Sequence, residues 1–150
     1  MRSEAAAEFG GRPLLLDVTD AETIATAAAG VPELDVLVNK AGISLDTGVP
    51  VIDTDVEVFR RTYETNVFGV VAVTNAFLPA LRRSPHPRIV NLSSGTGSLA
   101  WSTGPNPQFD YQAAATGSGA AYRSSKTALN ALTVFYAQAL AGDGVKVNAL

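Results

Sequence analysis

Tyr122 and Lys126 stand four residues apart in an alanine-rich stretch. On a helix, that spacing puts both side chains on one face. An ammonium beside a phenol favours the phenolate, and a tyrosine tuned in that way is a competent general acid or base. A Tyr/Lys pair at this offset also arises on an ordinary helix surface, so taken alone it is balanced between the two readings. Ser93 and Ser94 directly follow the run Arg88 to Leu92, which reads as a buried strand. Open parallel sheets bind ligands outside the carboxyl ends of their strands, and a hydroxyl there can donate to a carbonyl oxygen. Serine also ends strands as a plain turn residue, and one of these two is expected to be structural.

Asn39-Lys40-Ala41-Gly42 follows a second apolar run, Leu34 to Val38. Its small residues would let a ligand approach the backbone closely, although an ordinary turn has the same composition. Asp17 ends a third run, Pro13 to Val18. Its carboxylate could accept from an adenine amino group or a ribose hydroxyl, or cap the helix that follows. Asn66 lies within a long helical pattern, where asparagine is mildly unfavourable. It calls for either a bend or an inward-facing site.

Other features are set aside. His86 sits between Pro85 and Pro87 and reads as an exposed loop residue. One histidine and no cysteine give neither a catalytic triad nor a metal-ligand cluster. Asn91-Leu92-Ser93 fits a glycosylation pattern but falls in an expected buried strand. Gly95-Thr96-Gly97 lacks the third glycine of a dinucleotide fingerprint, and no Gly-x-x-x-x-Gly-Lys occurs. A serine hydrolase built on Ser94 would need a base, and the one histidine, His86, is between prolines; a Ser-x-x-Lys pattern ending at Lys126 also fails, because position 123 is arginine. Trp101 and Phe109 line a pocket or anchor a loop.

These residues must be positioned by elements that the sequence also outlines. Ser3 to Phe9 reads as helix, stopped by Gly10-Gly11. Pro13–Val18 reads as a strand, and Thr19 and Glu22 as the capping box of a helix ending near Gly30. Leu34–Val38 is the next strand. Asp53 or Thr54 opens a helix running to about Arg83, with apolar positions close to a 3.6-residue period. Arg88–Leu92 is a strand, residues 93–119 a long polar loop, and Ala120 to Ala141 a helix. Val145 to Leu150 begins the last strand. Alternation of apolar strands and helices predicts an α/β layer with a parallel sheet.

The 150 residues carry a net charge of −3, 47% hydrophobic residues and no cysteine, as expected of one globular domain. No disulfide scaffold, zinc finger or thiol nucleophile is available. The acidic balance argues against nucleic acid, and no apolar run reaches the ~18 residues that span a membrane. With no secretory signal visible, a cytoplasmic protein is expected.

Together the motifs resemble the classical short-chain dehydrogenase/reductase family. Asn39-Lys40-Ala41-Gly42 is similar to its Asn-Asn-Ala-Gly element, with Lys40 replacing the second asparagine. Asn66, in Thr65-Asn66-Val67-Phe68-Gly69, falls at the family's helix asparagine. Ile89 to Ser94 resembles its strand-to-serine segment, with Ser94 at the catalytic serine. Tyr122 to Lys126 resembles its Tyr-x-x-x-Lys, and Val145-Lys146-Val147-Asn148 the strand after the catalytic helix. The resemblance implies a Rossmann-like doubly wound parallel sheet and an oxidoreductase that interconverts a carbonyl and an alcohol. Tyr122 would exchange the proton, Ser94 would hydrogen-bond the reacting oxygen, and Lys126 would favour the phenolate and hold the nicotinamide ribose. Asn66 would hold a water behind Lys126. Asp17 and Val18 would flank the adenine, and Asn39, Ala41 and Gly42, with Tyr122 and Lys126, would line the cofactor.

Ser94 and Tyr122 are 28 residues apart, about twice the family's usual separation. The extra segment, roughly Trp101 to Ser118, resembles the insertion of the monomeric carbonyl-reductase branch. That branch implies a monomer rather than a homodimer, a small ketone or aldehyde substrate, and NADP in preference to NAD. The family's opening strand, its Thr-Gly-x-x-x-Gly-x-Gly turn and its second strand have no counterpart in residues 1–150, nor has its C-terminal substrate segment. Residues 1–150 therefore read as one partial domain, in which Pro13–Val18 would lack its sheet neighbours. The alternative is a non-catalytic fragment or interaction module that keeps the core without turnover. With no phosphate turn, the 150-residue chain is expected to bind reduced nicotinamide cofactor weakly. Calorimetric titration measures this, and micromolar affinity for NADPH or NADH overturns it.

Overall fold

The computed structural model describes residues 6, 8, 10–104 and 117–150, so the expected helix at Ser3–Phe9 is only partly covered. Phe109 and most of the long insertion lie outside the described residues. Helix α1 (Ala21–Ala29) is capped by Asp20, whose carboxylate accepts from the backbone of Glu22 and Thr23 at 2.9 and 3.4 Å. The expected cap, Thr19, is displaced by one position. Its own N–H and hydroxyl are taken by the Asp17 carboxylate, at 2.9 and 2.8 Å. Gly30 ends α1 as expected.

Among the described residues, three short strands form: β1 (Val36–Asn39), β2 (Arg88–Asn91) and β3 (Lys146–Ala149). They make one parallel sheet in the order β1-β2-β3, with Leu37, Ile89 and Val147 side by side. These three, with Ile24, Val73, Phe77, Leu81 and Leu140, form the apolar core. The expected strand Pro13–Val18 does not join the sheet. A strand needs a neighbour for its backbone groups, and this segment is held by local and side-chain bonds instead. Asp17 N–H donates to Thr23 Oγ1, and Arg12 reaches the Gly30 carbonyl. Leu16 and Val18 still pack on the core, while Leu14 and Leu15 face solvent.

The long helix expected from about residue 53 starts at Val56 and runs to Leu81, widened midway by a π turn. Residues 51–53 form a 3₁₀ turn, and Asp55 caps α2 (Val56–Tyr63). A π turn covers Glu64–Phe68, and α3 (Gly69–Leu81) continues from it. The wider turn re-aims one side chain relative to an unbroken helix, a device that recurs at functional sites. It falls on Asn66. Gly69 follows it where the chain meets the Val18 segment: a Cβ at Gly69 would stand 2.9 Å from the Val18 carbonyl oxygen. A 3₁₀ turn at Gly95–Gly97 leads into the short α4 (Leu99–Thr103), and α5 (Ala120–Ala139) crosses back to β3.

Ile89 is fully buried in the central strand. Ile89→Ala is expected to cost roughly 2–5 kcal/mol, against about 0.5 or less for the exposed Val134→Ala. Denaturant midpoints at unchanged slope measure both.

Candidate active site

The carboxyl ends of β1 and β2 and the first two turns of α5 meet in one cleft of about 370 Å³. Lys40, Gly42, Ile43 and Ser44 line one side, Leu92 and Ser93 the floor, and Tyr122 and Lys126 the α5 side. Lys126 is only 4% exposed. Its ammonium donates to the Leu92 carbonyl at 2.7 Å and stands 5.6 Å from the centre of the Tyr122 ring. Burial holds its pKa below the ordinary lysine value. A Cβ on Gly42 would lie 3.6 Å from Lys126 Nζ and 3.4 Å from Asn66 Oδ1, so the glycine keeps the space before both groups open.

Asn66, for which the sequence called for either a bend or an inward-facing site, sits in the π turn with its amide turned inward. It is fully buried. Its Oδ1 accepts from Ile43 N–H at 2.8 Å, and its Nδ2 donates to the Ile43 carbonyl at 2.9 Å and to Ser125 Oγ at 3.0 Å. Ser125 in turn donates to the Tyr122 carbonyl at 2.7 Å. One amide thus joins the loop after β1 to the α5 turn that carries Tyr122.

Of the two serines, Ser93 borders the cleft, and Ser94, the one aligned with the family's catalytic serine, caps the turn beside it. Ser93 lines the cleft, but its hydroxyl donates to Asn130 Oδ1 at 2.6 Å. Ser94 caps the 3₁₀ turn: its Oγ accepts from Thr96 N–H at 3.2 Å and pairs with Thr96 Oγ1 at 2.8 Å. Asn39 turns its side chain inward, donating to Asn91 Oδ1 at 2.9 Å and Thr74 Oγ1 at 3.1 Å. Val18, Asn39 and Ala41 border a second cavity of about 200 Å³ beside the first, and Lys40 lines both. The Asp17 carboxylate holds the backbone turn at Thr19.

Asp46 was not legible as a site residue. It is 1% exposed, and its carboxylate reaches the start of α5, 75 residues away in sequence. No local spacing connects the two; the sole signal was an aspartate in a glycine-containing loop next to a candidate site. Among the described residues, no cluster of three His, Asp or Glu side chains suits a metal ion.

A family model described as enoyl-(acyl carrier protein) reductase matches residues 2–150. A short-chain dehydrogenase of Penicillium roqueforti is 36% identical over 141 residues, covering 90% of this chain and 54% of that protein. The chain thus spans about half the length of the curated relatives it matches. A short-chain dehydrogenase from Streptomyces avermitilis superimposes with a TM-score of 0.78 at 31% identity, over 97% of this chain and 50% of that one. The NADPH-bound carbonyl reductase from chicken fatty liver superimposes with a TM-score of 0.82 at 27% identity, over 97% and 59%. The fold is Rossmann-like, and the chain belongs to the short-chain dehydrogenase/reductase family.

Proposed function

We propose that residues 1–150 carry the catalytic part of one short-chain dehydrogenase/reductase domain, a cytoplasmic, monomeric NAD(P)-dependent oxidoreductase acting on a small ketone or aldehyde. The observation that carries this reading is the buried Lys126 ammonium held 5.6 Å from the Tyr122 ring, inside a cleft at the strand ends. NADP is the favoured cofactor, by likeness to the NADPH-bound carbonyl reductase.

The residues present fit such a cofactor. The two adjoining cavities run from Val18 past Ala41 to Tyr122 and Lys126, and at position 42 no side chain fills the floor. Asp17 and Val18 would take the adenine end, and Asn39, Ala41 and Gly42 would pass their backbone beneath the dinucleotide. The nicotinamide supplies the hydride when bound.

The chain's own groups manage the proton. The Tyr122 phenol donates to the oxygen of the reduced carbonyl, or accepts from the alcohol in the reverse direction. The Lys126 ammonium stands beside the Tyr122 ring as that proton moves, and the Leu92 carbonyl keeps the ammonium in place. Ser94 steadies the reacting oxygen by exchanging its Thr96 bond for one to substrate. Asn66 has both amide hydrogens engaged, so it supports a proton path through its π turn only by an oxygen.

Tyr122→Phe is expected to lower carbonyl reduction at saturating NADPH by roughly 10²- to 10⁴-fold, read as loss of reduced-nicotinamide absorbance. Turnover that survives the substitution rejects the assignment. Lys126 gives a pH signature. Its folded pKa lies below the ordinary 10.5, so the folded chain holds fewer protons than the unfolded one between those two values. Stability should therefore rise with pH across that window relative to Lys126→Met. Denaturant titrations from neutral pH to 10.5 test it, and a constant difference between the two proteins contradicts it.

A further inference from the structure

We propose that Asp46 is a positioning residue for Tyr122, tying the two walls of the cleft together through one buried carboxylate. The inference rests on the reading of Tyr122 given above.

The first turn of a helix leaves N–H groups without intrahelical partners, and a side chain at the cap normally meets them. At α5 the cap position is Gly119, with φ +70° and no side chain to offer. Asp46 takes over the task from a distance. Its Oδ2 accepts from Ala121 N–H at 2.7 Å, and its Oδ1 from Tyr122 N–H at 3.4 Å. Its backbone carbonyl accepts from Gly119 N–H at 3.2 Å, and Pro50 pairs with Ser118 just beyond. A buried carboxylate is costly unless it is met by donors, and the positive end of a helix is where such donors converge.

The consequence lies in what Asp46 is attached to. It ends the loop Gly42-Ile43-Ser44-Leu45, whose first three residues line one wall of the cleft. Asn66 clamps that loop at Ile43. Asp46 clamps its other end to the backbone amide of the proposed acid itself. The height of Tyr122 along the cleft is thereby set by a residue outside α5. Displacing a reacting group by about 1 Å can cost about 10²-fold in rate.

The test uses Asp46→Ala and Asp46→Asn in the full chain, with kcat and KM measured for carbonyl reduction. Amide hydrogen exchange is followed at Ala121 and Tyr122, with Ile89 and Val90 of β2 as the folding control. Asp46→Ala should speed exchange at 121 and 122 by about 10-fold or more and leave β2 unchanged. Its kcat should fall by about 10- to 100-fold with KM within about 3-fold. Asp46→Asn keeps an oxygen for Ala121 N–H but sets an amide NH2 against Tyr122 N–H, so it should keep 121 protected, speed exchange at 122 and lose less kcat than Asp46→Ala. If Asp46→Ala unfolds, the β2 amides reveal it, and Asp46→Asn against the wild-type chain then decides: faster exchange at 122 with 121 still protected supports the clamp, and wild-type exchange at both with wild-type kcat overturns it. Unchanged exchange and kcat in a folded Asp46→Ala, or a loss confined to KM, overturns it. Should Tyr122→Phe turn over like the wild-type chain, the oxidoreductase reading fails separately, and the kinetic role of Asp46 falls with it.

Discussion

Lys126 must hold an ammonium where water scarcely reaches, and much of the site follows from meeting that demand. A buried cation needs oxygen acceptors, and burial without them would drive it out or neutralise it. The end of a parallel strand offers one. Leu92 lies just past β2: its N–H still bonds the Asn39 carbonyl, but its own carbonyl is free of the ladder and accepts from Lys126. The fold thus supplies the acceptor at the carboxyl end of the sheet, where ligands of such sheets bind. Gly97 completes the seat, since a Cβ there would come within 2.8 Å of the Lys126 carbonyl carbon. The tight turn after β2 can lie against α5 only because that position has no side chain.

Beneath the cleft runs a row of buried amides and hydroxyls. Asn39 bonds Asn91 and Thr74, Asn91 bonds Thr133, and Thr133 bonds the Leu129 carbonyl. The row lies two residues beyond Leu37 and Ile89 on the same face of the strands. Moving β1 by one residue against β2 would turn Leu37 out of the core and break the bonds of Asn39 to Asn91 and Thr74 together. Register is consequently fixed twice, by apolar burial and by hydrogen bonding. The strand ends that frame Lys126 and Gly42 inherit that precision. The Asn39 side chain is thus committed to the interior, where it anchors β1.

What the sequence revealed, and what it hid, divides by the range of the interactions. The pairing of Tyr122 with Lys126 was readable because helical periodicity is local, and the three paired strands were readable as short apolar runs. Pro13–Val18 has the same composition as those strands, yet no ladder forms, because a strand is defined by a partner that composition does not name. Thr19 and Asp20 are both good caps, and the contest between them was settled by Asp17, which engages Thr19 first. The π turn was foreshadowed by one ill-placed asparagine. The partners of Asn66 and Asp46 lie in distant segments, and pairwise bonds between such segments leave no periodic trace.

The two lysines of the cleft show how burial, more than residue type, assigns roles. Lys40 lines both cavities but is exposed, so its charge keeps its hydration and acts through a field that salt screens within about a Debye length. Lys126 is stripped of solvent, fixed to a single carbonyl and set beside an aromatic ring. A charge in that setting interacts far more strongly with a neighbour that changes its own charge. The same setting makes its own protonation responsive to the fold. A Lys at position 40 therefore brings a hydrated positive charge to the rim of both cavities, in a setting unlike that of position 126. What holds the Lys126 side chain beside the Tyr122 ring is the Leu92 acceptor, the clearance left by Gly97, and the packing of the turn after β2 on α5.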